Sequence, residues 1–381
     1  GESTYRLARH GVRAERVGAL RVKGKDLAVS AYRLLDVDAR PTAPPRRFDS
    51  PMVGRARERE LLTGAFERAV REQTCHLVTV LGPAGVGKSR LVAEVLDGVG
   101  TSATVLAGSC LPYGDGITFW PVIEVIKQAI ELREDESAES IRAKIAERLA
   151  GDEDASLVAE RVAGLLGLGD RGGATEESFW GIRKLLESLA SERSLVVVFD
   201  DVHWAEPTFL DLVQYVAEWS RDAPILLICM ARPDLLETRP AWSRQDEDRI
   251  SLLLEPLTGD ESGTLVENLI GAGALAADAR SRILEAAEGN PLFVEEMLAM
   301  LIDDEILVSR DGMWIAARDL SDVQIPSTIT VLLASRLDRL DPEERQVLDR
   351  AAVEGKVFHW TAVRELAAPL EGDRVSASLM A

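Results

Sequence analysis

Cysteine is scarce in this chain of 381 residues, with only Cys75, Cys110 and Cys229. An odd number of such widely spaced thiols excludes a disulfide framework and fits no zinc motif. Buried thiols in a reducing cytoplasm are expected instead. The four histidines are scattered, so no histidine metal motif is expected, and His203 is read as structural. No apolar run reaches about 18 residues, which excludes a helical membrane span. The N-terminus lacks the basic-then-apolar pattern of a signal peptide. No internal repeat or low-complexity segment is present. Lysine is rare too, seven of the 44 basic residues.

Positive charge is in short supply outside the first fifty residues. The net charge is −20, yet residues 1–50 hold eleven basic against six acidic side chains, a balance of +5 that leaves −25 for the rest. An acidic body repels phosphate backbones and argues against broad nucleic-acid binding.

What is present is an ordinary globular balance, 46% hydrophobic and 28% charged, in a length that suits two or three domains. Two short runs, 17–22 and 27–35, flank Lys23-Gly24-Lys25 and read as a β-hairpin. Residues 39–50 form an extended linker, with Pro41, Pro44 and Pro45 inside it and Pro51 just beyond. An amphipathic helix is predicted at 58–71. Apolar strands at 77–81, 103–106, 195–199, 224–230 and 250–254 alternate with helices at 88–96, 117–133, 137–150, 155–166, 176–192 and 207–220. Strands that are apolar throughout and separated by helices predict an α/β fold with a parallel sheet covered on both faces. Beyond residue 255 the pattern turns helical, at 259–270, 276–288, 291–304, 327–338, 342–353 and 359–367, with a hairpin around Arg310-Asp311-Gly312. The organisation expected is a hairpin remnant at 1–38, the linker, a nucleotide domain at 51–255, a helical lid at 256–324 and a winged-helix-like domain at 325–381, cut short.

The strongest motif is the P-loop Gly82-Pro83-Ala84-Gly85-Val86-Gly87-Lys88-Ser89. It follows an apolar strand and opens a helix. Its glycines let backbone curl around phosphates where a Cβ would clash, and the helix N-terminus adds partial positive charge. Lys88 is assigned to the β- and γ-phosphates and the Ser89 hydroxyl to Mg²⁺. Asp200 ends the most apolar strand, placed beside the P-loop strand, and is assigned to the metal ion. Asp201 is the candidate to polarise the attacking water, with Glu206 as its competitor. Arg232 follows another strand and is placed to report the γ-phosphate; pairing with Asp234 is the alternative. In Gly289-Asn290-Pro291, glycine ends one helix and proline begins the next.

The order of these motifs resembles the STAND class of P-loop ATPases, relatives of AAA+ proteins, in their bacterial regulator form. The likeness rests on Val53-Gly54-Arg55, the P-loop from Gly82 to Ser89, the stretch from Gly108 to Gly116, that from Val198 to Glu206, Ala231-Arg232, and Gly289 to Glu296; Arg90, next after the P-loop, is assigned to the nucleotide with it. It spans about residues 51–370. The resemblance implies that Val53, Gly54, Arg55 and Pro291 lie near the adenine, that Arg232 senses the γ-phosphate, and that a slow ATPase switches between ADP and ATP forms. One departure is the distance from Lys88 to Asp200, longer than is usual in this class. The surplus lies in the helical region around 117–192, which implies an insert or an enlarged α layer. Residues 1–38 resemble the C-terminal tail of a class III nucleotide cyclase domain. The metal-binding aspartates of that family are absent, so no cyclase activity is expected of this chain.

The leading expectation is therefore an ATP/ADP- and Mg²⁺-dependent switch within a larger cytoplasmic signalling or transcription regulator. A protein partner or self-association on activation is expected, with no membrane, and with DNA reached only through a domain absent here. Three alternatives stand beside it: a DNA-binding initiator or activator reading through the winged helix, a cyclase under ATPase control, and a ring motor supplied in trans with Arg221.

Overall fold

Backbone pairing comes before apolar patterning in the first described segment. Strands β1 (Val12–Leu20) and β2 (Val29–Val37) pair antiparallel, with register shifts at Arg13/Ala14 and Arg16/Gly18. The first strand begins well before the predicted run, and its Glu15, Arg16 and Val17 are exposed. A computed structural model describes residues 12–20, 29–37, 50–111, 118–133, 136–168, 175–271, 275–310, 313–317, 331, 333, 334, 337, 340, 342–354 and 363. The Lys23-Gly24-Lys25 turn, nearly all of the linker, Pro112 to Gly116 and the Asp311-Gly312 turn lie outside them. So, wholly or in large part, do the winged helix and the helices expected at 327–338 and 359–367. Contacts divide the chain into two units, 1–255 and 256–381.

In the first unit, helix α1 (Ala56–Glu72) precedes strand β3 (Cys75–Leu81), which runs through the P-loop into α2 (Lys88–Val99). Strand β4 (Thr104–Ser109) is followed by four helices, α3 (Trp120–Ala129), α4 (Ala138–Arg148), α5 (Ala155–Leu165) and α6 (Thr175–Glu192). Then come β5 (Leu195–Asp200), α7 (Pro207–Trp219), β6 (Ile225–Ala231), the single turn α8 (Leu235–Thr238) and β7 (Arg249–Leu253). The five strands β3 to β7 form one parallel sheet in the order β4-β5-β6-β3-β7. This corrects one expectation. The strand bearing Asp200 does not lie beside the P-loop strand, because β6 pairs with both and separates them. Strand order is set by long-range pairing, to which local apolar patterning is blind.

Successive side chains of a strand point to opposite faces, and the core splits accordingly. Leu77, Leu195, Val197, Phe199, Ile225 and Leu227 face the layer of α3 to α7, together with Val122, Val125, Ile126, Ile182 and Leu185. Val78, Val80, Val196, Val198, Leu226 and Ile228 face Leu62 and Ala65 of α1 and Leu91, Val92 and Val95 of α2. Each such side chain, fully buried, contributes about 1.5–3 kcal/mol. The region between β4 and β5 is thus an enlarged α layer, part of the main core. Helix α3 also guards the sheet edge. The Gln128 amide exchanges two hydrogen bonds with Ala107 of β4, at 3.0 and 2.6 Å, and Glu124 Oε2 accepts the Ser109 N–H at 2.7 Å. Those backbone groups would otherwise lie open to another strand. Gly108 makes the approach possible, since a Cβ there would collide with the Pro121 carbonyl.

The second unit contains α9 (Gly259–Ile270), α10 (Ala277–Ala287), α11 (Pro291–Asp303), the hairpin β8 (Leu307–Arg310) with β9 (Met313–Ala316), and α12 (Pro342–Glu354). Leu265, Val266, Ile283, Phe293, Met297 and Leu298 are buried there. Gly289 has φ +75° and accepts the Leu257 N–H at 2.8 Å; a Cβ would strike the Leu257 carbonyl. Among the described residues no helix is long and apolar enough to cross a membrane. All three cysteines are free and buried.

Candidate functional site

The P-loop is built by close approach. Gly82 donates its N–H to Ala231 O at 3.2 Å, and a Cβ on it would lie 2.7 Å from Val86 Cγ1. Gly85 and Gly87 hold φ of +80° and +103°, values that favour glycine. Gly87 then stands as N-cap of α2 with no side-chain cap, and the first turn of α2 contains no acidic residue. A helix start leaves several N–H groups without intrahelical partners, and here Lys88, Ser89 and Arg90 follow. That combination suits an anion. The cradle fits phosphate on two counts: φ values foreign to most side chains, and a first turn neither capped nor acidic.

Lys88 Nζ donates to the carbonyls of Gly82 and Pro83 at 2.8 and 3.1 Å, folded back along the loop. Arg90 is engaged elsewhere, with Ser50 O at 2.9 Å and Glu94 Oε2 at 3.4 Å. Arg55 follows Gly54 in a left-handed turn, φ +65° and +70°. Its guanidinium reaches Val86 O at 3.4 Å and Glu255 O at 2.6 Å, so it braces the loop from behind. Val53 is half-buried in the same segment.

Asp200 and Asp201 lie at the tip of β5. Asp200 Oδ1 accepts the Asp201 N–H at 2.9 Å, and Cys110 N–H binds Asp200 O at 3.0 Å. Asp201 has φ +55°, a strained value for a residue with a Cβ. Its carboxylate stands 4.0 Å from His203 Nδ1. The His203 side chain is only 2% exposed, and neither ring nitrogen has a hydrogen-bond partner. Burial pushes its pKa below the ordinary value; Asp201 and Asp234 oppose the shift, while Arg232 and Lys88 add to it. Arg232 lays its guanidinium over the Trp204 ring, 5.8 Å from the centroid, and that ring lies 4.9 Å from the His203 ring. Glu206, the competitor of Asp201, accepts a short hydrogen bond from the Thr118 hydroxyl.

Residues 51–228 match the family model of the AAA ATPase domain. This stretch is an AAA ATPase domain. Residues 258–313 match a domain of unknown function (DUF8739). The chain is 26% identical, over 326 residues, to an uncharacterized protein of Rhizobium meliloti (strain 1021), covering 81% of this chain and 30% of that protein. It thus spans less than a third of that relative's length. Among solved structures, similarity extends to the Aeropyrum pernix Orc1 protein in complex with DNA (TM-score 0.46, 14% identity, 87% of this chain and 83% of that one). Drosophila ORC bound to DNA is similar at a TM-score of 0.44, with 12% identity over 99% of this chain and 85% of that one. A Thermotoga maritima RuvB variant follows at 0.37, with 17% identity and 85% of each chain.

Asp201 thus stands beside His203, Arg232 lies over Trp204 and Arg55 lies against the P-loop, while Pro291 belongs to the second unit. Pro291 there is the first residue of α11, after an Asn290 side chain that accepts from the Leu292 and Phe293 N–H groups at 3.1 and 3.4 Å. Arg221, the residue considered for action in trans, turns its guanidinium onto the Glu218 and Ser220 carbonyls at 2.7 and 2.8 Å. Sequence reasoning passed over Trp204 as a platform for Arg232 and Thr118 as the partner of Glu206. Trp204 stands three residues after the acidic pair, but neither its pairing with Arg232 nor that of Thr118 with Glu206 carries a signal in the sequence.

Proposed function

We propose that the chain is an ATP-driven regulatory switch of the STAND type. The observation that carries this reading is the P-loop itself: Gly85 and Gly87 at positive φ lead into an α2 start with no cap and no acid, and Lys88 lies folded onto the loop. Sheet sites of this kind open at the carboxyl ends of strands. The P-loop amides and Lys88 would cradle the β- and γ-phosphates. Ser89 and Asp200 would hold Mg²⁺, which supplies neutralising charge to the phosphates.

Strand spacing of about 4.8 Å puts β5 roughly 10 Å from β3. That gap leaves room for a phosphate and a hydrated ion between the loop and Asp200. Asp201, held by its strained backbone next to His203, would polarise the attacking water, while Glu206 is engaged by Thr118. The β–γ oxygen–phosphorus bond breaks, giving ADP and phosphate. Arg232 would leave the Trp204 face for the γ-phosphate, so that ATP and ADP favour different arrangements. Val53, Gly54 and Arg55 would flank the base, and Pro291 would reach the nucleotide through a lid at 256–324, ahead of a winged-helix-like segment at 325–381. The charge of −25 beyond residue 50 favours a protein partner or self-association over DNA. In a longer parent chain, the N-terminal hairpin would belong to a cyclase domain.

The test is nucleotide binding and turnover for the wild type beside Lys88→Ala and Asp200→Asn. Tight ADP or ATP binding with slow turnover, weakened in both variants, supports the switch. Turnover that rises with protein concentration makes it a motor. Absence of Mg²⁺-nucleotide binding sinks the reading.

A further inference from the structure

The opposite edge of the sheet, where the strands begin, holds a second set of polar groups that the nucleotide site does not use. His76 is the second residue of β3, Glu72 the last of α1, and Asp248 stands immediately before β7. His76 Nε2 lies 3.9 Å from Glu72 Oε2 and 3.6 Å from Asp248 Oδ1. The three ligand atoms fall within 4.8 Å of one another. His76 is 1% exposed, and neither of its ring nitrogens has a hydrogen-bond partner. A buried imidazole is thus aimed between two carboxylates that it does not reach by hydrogen bonding.

We propose that Glu72, His76 and Asp248 form a divalent-cation site of the zinc class. Nitrogen and oxygen ligands at about 2.0–2.2 Å from a tetrahedral ion lie roughly 3.3–3.5 Å apart. The observed 3.6 and 3.9 Å need only small side-chain rotations to reach that spacing. Both carboxylates are already oriented from outside the set. Arg71 Nη2 holds Glu72 Oε1 at 2.7 Å, which leaves Oε2 toward His76. Asp248 is pinned through its backbone, its carbonyl accepting the Leu77 N–H at 2.8 Å and its N–H donating to Asp246 Oδ1 at 3.2 Å. Two carboxylates and a neutral imidazole balance a divalent charge. The imidazole favours zinc-like ions over Mg²⁺, and the half-exposed carboxylates leave the remaining positions to water. His76 Nδ1 has no acceptor to fix the ring, so affinity below that of a closed structural zinc site is expected. Such an ion would tie α1, β3 and the start of β7 together, away from the P-loop.

The test uses the whole chain, freed of metal by chelation and then saturated with Mg²⁺ and ADP to occupy the P-loop. Zn²⁺ is titrated by calorimetry, and Co²⁺ is followed by its visible absorption. One equivalent of either ion should bind, with a rise in Tm. Asp248→Asn and Glu72→Gln, both at half-exposed positions, should each weaken binding about tenfold or more and remove the rise in Tm. His76→Gln should abolish binding; if that variant fails to fold, the two carboxylate variants carry the test. Absence of a bound equivalent, or undiminished affinity in either carboxylate variant, overturns the proposal.

Discussion

Two helix starts in this chain are finished in opposite ways. Helix α9 closes its own N-terminus: Thr258 Oγ1 accepts the Glu261 N–H at 3.3 Å, the Glu261 carboxylate accepts the Thr258 N–H at 2.9 Å, and Asp260 and Glu261 lie in the first turn. This is a capping box. Helix α2 begins after Gly87 with no side-chain cap and no acid in its first turn. The first helix is complete without help. The second gives up a cap worth about 1 kcal/mol and keeps its dipole for an anion. Helix α11 sides with α9, since Asn290 caps it.

The contrast breaks most sharply at Lys88. Lys88→Ala should lower ATP turnover by about a hundredfold or more, the scale of losing one preorganised charge donor, as a steady-state phosphate-release assay would show; an unchanged rate removes the α2 start from catalysis. Next in size is Gly289→Ala, ahead of α11. Forcing a Cβ into the Leu257 carbonyl at positive φ should cost about 1–3 kcal/mol, measured by denaturant unfolding.

Arg90→Glu sharpens the comparison. It places on α2 the residue that Glu261 supplies at the same third position of α9. Mg²⁺-ADP affinity should fall about tenfold from the added negative charge; calorimetry showing no change would mean that the first turn does not face the phosphates. Thr258→Ala should cost about 1 kcal/mol of stability and leave nucleotide affinity untouched.

The gentlest effect is on pH. Burial lowers the folded-state pKa of His203 and of His76, so the unfolded chain binds protons first as acid is added. Their contribution to stability is therefore present above about pH 6.5, the ordinary histidine value, and is lost progressively below it. His203→Gln should flatten part of that slope in thermal melts between pH 7 and pH 5.

Much of this was legible because it is local. The run Leu77 to Leu81, the glycines and Lys88-Ser89 lie within a dozen residues, and strand, loop and helix formed where apolar pattern and glycine chemistry pointed. The capping role of Gly289-Asn290-Pro291 was visible for the same reason. The order of strands was not, because β6 inserts between β3 and β5 through pairings such as Leu77 with Leu227 and Val197 with Leu227. The helices between β4 and β5 read correctly as helices, yet only packing made them a layer of the core. Trp204 beneath Arg232 and Asp248 beside His76 join residues distant in the chain, and no spacing rule foretells them.

The left-handed turn at Gly54-Arg55 has a mechanical meaning. One guanidinium nitrogen, Nη2, grips Val86 O, 31 residues onward in the P-loop, and Glu255 O, 200 residues onward. Glu255 is the last residue of the first unit. That side chain therefore ties the P-loop to the very backbone at which the first unit ends, so a shift of either carbonyl is felt by the other.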